Sequence, residues 1–170
     1  MNSKPDVGAP FPRITLPQVG GGETTLGGAK DRWTMVFIYR GKHCPKCKTY
    51  LNKLHAALPA WEAVMDVVVA SADTEAKAAS DQQEYGWAFN LCYGLPEDAM
   101  RAMGLYVSDP LSEAETDARF AEPGAFAIKP DGTLMLADTS NGPAARPDLE
   151  ALLDGMKFNI ENDRPVRGTV

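Results

Sequence analysis

Cysteine is sparse in this chain. There are three in 170 residues, Cys44, Cys47 and Cys92, too few for a disulfide-stapled scaffold, so a close pair calls for a catalytic or metal-binding reason. Basic charge is not in excess either: a formal net charge of -6 argues against general nucleic-acid binding, which wants a basic surface. No apolar run approaches the length of a membrane span, and the start "MNSKPDVGAPFPRI" lacks the basic and apolar stretches of a signal peptide. The expectation is a cytoplasmic protein with neither a membrane nor a nucleic acid as partner. Solenoid-length repeats, low-complexity tracts and linkers are also missing.

What is present is an ordinary globular composition, 44% hydrophobic and 24% charged, long enough for a sizeable core. One domain is expected over residues 1–170, with a tail at 159–170. "KPDVGAPFP" reads as an extended lead-in, and "RITLPQVGGGETTLGG" as two short extended pieces around a turn at Gly20 to Gly22. "RWTMVFIY", residues 32–39, is almost continuously apolar and rich in aromatic and β-branched residues, which suits a central strand covered on both faces.

A helix follows at once. Pro45 suits its first turn, where a missing N–H costs nothing, and Cys47, Leu51, Leu54 and Leu58 share one face. Pro59 predicts its end or a kink. Further along, "AVMDVVVASAD" predicts a second buried strand, "TEAKAASDQQEYG" a helix closing at Gly86, "AFNLCYG" a short strand, and "PEDAMRAMG" a short helix ended by Gly104. "DPLSEAETDARFAEPG" is acidic and irregular, a loop or insertion. "AFAIKPDGTLMLA" alternates around Lys129-Pro130-Asp131-Gly132 as a hairpin does, and "RPDLEALLDGMKF" predicts a last helix. Strands alternating with helices and closing in a hairpin plus helix make an α/β fold with a mixed sheet.

The segment "RGKHCPKCKTYLNKL" carries the chemistry. A helix start offers partial positive charge and free N–H groups, which stabilise a thiolate. Arg40, Lys42, Lys46 and Lys48 add positive charge to an otherwise acidic chain, and His43 stands beside the first cysteine. The thiolate is the nucleophile, so Cys44 is expected to attack and Cys47, one turn further in, to resolve. Two other readings stand beside this one: inert core cysteines, and half of a zinc site. Zinc would need two more ligands from Cys92, His43, His55 or carboxylates, with no second CxxC to supply them. The position of the pair between an apolar strand and a helix favours redox chemistry, with no bound cofactor implied and no metal. Cys92 and Trp33 are read as core, and His55 is assigned no role.

Four stretches together resemble a known family. "VGAPFPRITLPQVGGGETTL", "MVFIYRGKHCPKC", "EYGWAFNLCYGLPEDAMRAMGLY" and "PGAFAIKPDGTL" are similar to the alkyl hydroperoxide reductase and thiol-specific antioxidant family, the peroxiredoxin-like group of the thioredoxin-fold superfamily. The resemblance spans Val7 to about Phe158. It implies a thioredoxin-like fold, a mixed central sheet flanked by helices, with an N-terminal β-hairpin extension. It implies antioxidant activity through a redox-active disulfide, in which Arg40, Lys42, His43, Pro45 and Lys46 would tune the thiolate. The departures are specific. Where the family sets a Pro and a Thr or Ser, seven and three residues before the cysteine, this chain has Phe37 and Gly41; where it sets an Arg before the late strand, this chain has Pro123. Arg40 and Arg119 are candidates to replace that charge. Thioredoxin-like oxidoreductases carry a cis-proline at the Pro123 position, so the resemblance also implies a cis Glu122–Pro123 bond and a backbone there that pairs with an extended substrate.

Three functions follow. The leading one is a thiol–disulfide oxidoreductase, with Cys44 attacking a protein disulfide and Cys47 resolving. The second is a thiol peroxidase that reduces hydroperoxides through a Cys44 sulfenic acid and is recycled by a thioredoxin- or glutathione-type donor. The third is a non-enzymatic redox-sensing or partner-binding module docking through the acidic loop 109–122.

Overall fold

The computed structural model describes residues 4–170. An N-terminal hairpin comes first, β1 (Ile14–Pro17) and β2 (Glu23–Leu26), paired antiparallel with Ile14 opposite Leu26. Then follow β3 (Thr34–Ile38), α1 (Pro45–Glu62), β4 (Asp66–Ala70), α2 (Glu75–Tyr85), β5 (Asn90–Cys92) and α3 (Glu97–Ala102). A two-residue ribbon of β6 (Val107–Ser108) and β7 (Phe120–Ala121) brackets the acidic loop. The chain closes with β8 (Gly124–Ile128), β9 (Leu134–Thr139) and α4 (Leu149–Glu161).

The main sheet runs β5-β4-β3-β8-β9. Strands β3, β4 and β5 are parallel, while β8 and β9 run antiparallel, so the sheet is mixed as expected. Because successive strand side chains point to opposite faces, the fully buried β3 feeds two apolar layers. Met35, Phe37 and Tyr39 join Leu51, Leu54, Trp61 and Met156 on one side. Val36 and Ile38 join Leu16, Leu26, Met100 and Phe126 on the other. The hairpin is held to the main sheet by backbone bonds, Val19 N–H to Leu91 O at 2.9 Å among them.

Two boundaries differ from expectation. Helix α1 runs through Pro59 to Glu62. The proline lies in the last turn, where it removes one backbone bond, and burial of Leu58 and Trp61 on either side holds the helix together. At the other end of the chain, α4 begins three residues later than the prediction's Arg146, with the Asp148 side chain accepting the Ala151 N–H at 2.9 Å as its cap. It then extends to Glu161, so the tail begins at residue 162 rather than 159.

Candidate active site

Strand β3 leaves the centre of the sheet and turns sharply at Gly41. This residue has φ +132°, and a Cβ built there would lie 2.6 Å from the Asp73 carboxylate. Only glycine accommodates both the backbone angle and the close approach. The turn lets the Lys42 N–H donate to Asp73 at 2.8 Å and the Cys44 N–H donate to Gly41 O at 3.1 Å. Asp73 is buried, which pushes its carboxyl up, and the Lys42 N–H opposes that shift.

Cys44 is thereby delivered as the N-cap of α1, with extended backbone and its Sγ accepting the Cys47 N–H at 3.2 Å. A sulfur stands where a serine or aspartate oxygen usually caps. Pro45 occupies the first helical turn beside it. Cys44 and Cys47 lie at disulfide distance, with Cα atoms 5.3 Å apart, inside the span a disulfide bridges. Cys44 is 2% exposed and Cys47 fully buried.

The basic residues near the pair are placed differently from one another. Lys42 reaches away to Ser80 Oγ at 2.8 Å and to the fully buried Asp81 at 3.4 Å, and Lys48 meets the same carboxylate at 3.5 Å. Arg40 lies against Glu122 at 3.3 Å and Glu115 at 3.6 Å, its guanidinium 4.7 Å from the Phe120 ring centre. Ser108 Oγ donates to the other Glu122 oxygen at 2.6 Å. His43 packs on Phe120 with ring centres 4.6 Å apart, and its Nε2 is buried without a hydrogen-bond partner among the described residues. Burial, then the Arg40 charge, hold its imidazole below the ordinary value. Lys46 is exposed. Arg119 is exposed and paired with Asp109 and Glu97.

One cation does reach sulfur. The Arg146 guanidinium donates to Cys47 Sγ at 2.7 Å and to Lys46 O at 3.3 Å, and lies 5.0 Å from the Tyr50 ring centre. Tyr50 O–H donates to Pro147 O at 2.8 Å, pinning the segment that carries Arg146 against α1. Among the described residues Arg146 has no carboxylate partner. Sequence reasoning missed it. The one signal was an arginine directly before a Pro-Asp helix start, which fixes a stiff segment without saying what the arginine faces.

Solved structures share this architecture. The chain is similar to a peroxiredoxin-like protein from Aquifex aeolicus at 18% identity, covering 92% of this chain and 88% of that one with a TM-score of 0.77. It is similar to a Cys-to-Ser mutant of Xylella fastidiosa PrxQ at 17% identity, covering 93% and 99% with a TM-score of 0.73. A Mycobacterium tuberculosis peroxidoxin gives 16% identity, coverage of 95% and 99%, and a TM-score of 0.72. No curated protein sequence matches. The AhpC/TSA family profile matches residues 7–137.

The chain belongs to the AhpC/TSA family. It is a thiol-dependent oxidoreductase with a thioredoxin-like fold, as the family and the fold together require. Against that background the departures acquire reasons. Gly41 stands where the family resemblance implies a Thr or Ser, because the turn onto Asp73 excludes a side chain. The Glu122–Pro123 bond is trans, since the described residues contain no cis peptide, so the expectation of a cis-proline is corrected. The physical reason lies in the neighbouring bonds. The Glu122 N–H donates to Tyr106 O at 2.8 Å, and Pro123 O accepts the Ser140 N–H at 3.1 Å, so regular pairing to both sides satisfies an extended trans segment. Cys92 belongs to the layer on the opposite side of the sheet from Cys44, and burial pushes its thiol up. His55 Nδ1 accepts the Ala88 N–H at 3.2 Å. Among the described residues no group of three or more His, Cys, Asp or Glu could hold a metal ion, and no helix is long and apolar enough to cross a membrane.

Proposed function

We propose that this protein is a thiol peroxidase that reduces small hydroperoxides, with Cys44 as the peroxidatic and Cys47 as the resolving cysteine. The observation that carries the reading is the occupied backbone at Pro123. An oxidoreductase that docks an extended protein segment needs free backbone groups beside its CxxC, and here the Glu122 N–H is given to Tyr106 O and the Pro123 carbonyl accepts the Ser140 N–H. Both residues are buried. A substrate of a few atoms needs no such edge.

In the chemistry that follows, the Cys44 thiolate, favoured by the Cys47 N–H and the start of α1, attacks the distal oxygen of the hydroperoxide. The O–O bond breaks, the alkoxide takes a proton and leaves as alcohol, and Cys44 becomes a sulfenic acid. Cys47 sulfur then attacks Cys44 Sγ, the S–O bond breaks, and hydroxide leaves as water after protonation. The 5.3 Å Cα separation lies inside the span that the resulting disulfide bridges. A thiol donor of the thioredoxin or glutathione type reduces the disulfide.

Disulfide exchange is the second reading, favoured by one observation: neither Gly41 nor Pro123 offers the hydroxyl or guanidinium that the family pattern implies for binding peroxide. The deciding measurement is the second-order rate of Cys44 oxidation by hydrogen peroxide in reduced Cys47→Ser protein, with Cys44→Ser as control. A rate far above that of an ordinary low-pKa thiol is expected. A rate matching a free thiolate would overturn the peroxidase reading and leave disulfide exchange.

A further inference from the structure

Arg146 is the feature that neither the sequence pattern nor the family reading explains. A guanidinium taken out of water needs a compensating charge or hydrogen bonds to offset its lost hydration. Arg146 is partly buried, and burial draws its pKa down from the ordinary arginine value. Among the described residues it forms no ion pair: Asp138 lines the same cavity without pairing with it, Asp148 caps α4, and Glu122 is committed to Ser108 and Arg40. Its hydrogen bonds go to Lys46 O and to Cys47 Sγ. Neither a carbonyl nor a neutral sulfur matches its charge. A thiolate at Cys47 would.

From this geometry we infer that Arg146 is a positioning residue for the Cys47 sulfur, holding it as a thiolate when the Cys44–Cys47 bond opens. The inference rests on the redox role proposed for the pair and assigns the direction of its reduction. A donor thiolate attacks Cys44 Sγ, in the less buried residue of the pair, 2% exposed against 0% for Cys47, and forms a mixed disulfide there. The Cys44–Cys47 bond breaks, and Cys47 leaves with the electron pair against Arg146. The donor's second thiol, as a thiolate, then attacks the donor sulfur of the mixed disulfide. Cys44 is released as a thiolate at the start of α1, the donor dithiol is oxidised to a disulfide, and its two protons pass to solvent. In the forward direction the same contact keeps Cys47 ready to attack a Cys44 sulfenic acid. The other charged groups around this sulfur act elsewhere: Lys46 is exposed, and Lys48 is held by Asp81.

The test is the thiolate absorbance of Cys47 against pH in Cys44→Ser protein, where Cys92 contributes only at higher pH because it is buried. With Arg146 present, Cys47 is expected to ionise about tenfold more readily than it does in Arg146→Met protein, the guanidinium offsetting the burial that raises a fully buried thiol. Arg146→Met should abolish that tenfold advantage, and Arg146→Lys should retain part of it, which a merely structural role would not do. Should the Met variant fail to fold, the Lys variant and an Arg146→Gln variant give the same comparison. A second readout is the position of the adduct when oxidised protein meets a small monothiol and is trapped by acid and mapped by mass spectrometry. The adduct is expected on Cys44. A Cys47 midpoint unmoved by Arg146→Met would overturn the assignment, as would an adduct on Cys47. Because the titration uses Cys44→Ser protein and the peroxide rate uses Cys47→Ser protein, failure of one reading is distinguishable from failure of the other.

Discussion

The two sides of the CxxC turn differ in what they do with positive charge. On the side facing the acidic loop, each cation near the pair in sequence is matched by a carboxylate: Arg40 by Glu122 and Glu115, Lys42 and Lys48 by Asp81. On the side facing α4, Arg146 has no carboxylate partner among the described residues and donates to sulfur. Nearness in sequence therefore says little about which cation tunes a thiol. A neutralised cation holds structure together; Lys46, which has no carboxylate among the described residues, is spent on solvent, and Arg146, partly buried, is left to act on sulfur.

Gly41→Ala should give the largest effect on the acidic-loop side. It forces a side chain into a left-handed backbone and onto the Asp73 carboxylate, and is expected to cost about 3 kcal/mol, read from urea unfolding. A loss under half of that would mean the turn relaxes, and that Asp73 does not fix the position of Cys44. Next in size is Arg40→Met. It leaves Glu122, 3% exposed, without its cation, and about 2 kcal/mol should be lost, somewhat less than for a wholly buried pair because Arg40 keeps some solvent. Arg146→Met orphans no carboxylate, so its stability loss should stay below about 1 kcal/mol while its effect on Cys47 ionisation remains. If the Arg40 variant shifted Cys47 ionisation as much as the Arg146 variant, the contrast between the two sides would collapse.

The smallest effect concerns His43. Burial and Arg40 hold its imidazole below the ordinary 6.5, so the unfolded chain takes up this proton more readily than the folded one. The stability tied to neutral His43 is fully present above pH 6.5 and is lost as pH falls through the lower folded midpoint. Lys48 and Lys77 push the same way and Glu115 opposes them. His43→Gln should flatten the pH dependence of unfolding in that window. An unchanged profile would assign it to Asp73 or another group.

The order of strands and helices was legible because hydrophobic period carries it. The continuous run in β3, the Cys47-Leu51-Leu54-Leu58 face of α1 and the alternation around Lys129-Pro130-Asp131-Gly132 each report burial directly. The ends of α1 and α4 were less so, since one proline in a last turn is outweighed by packing and a cap is decided locally by Asp148. Within the site, the spacing of Cys44 and Cys47 at a helix start was enough to bring both sulfurs together, because a turn of helix closes that distance by itself.

The partners of those sulfurs were decided elsewhere. Arg146 lies 99 residues from Cys47 in the chain and meets it only because the loop before α4 packs back on α1 through Tyr50 and Pro147. Asp81 and Glu122 reach the site from α2 and from the segment after β7, and their pairing with Lys42, Lys48 and Arg40 removes those cations from the thiol chemistry that proximity in sequence suggested. Local pattern fixes which atoms are nucleophiles, because spacing and helix geometry are short-range. Which charges surround them depends on distances between elements far apart in the chain, and those exist only once the layers have packed.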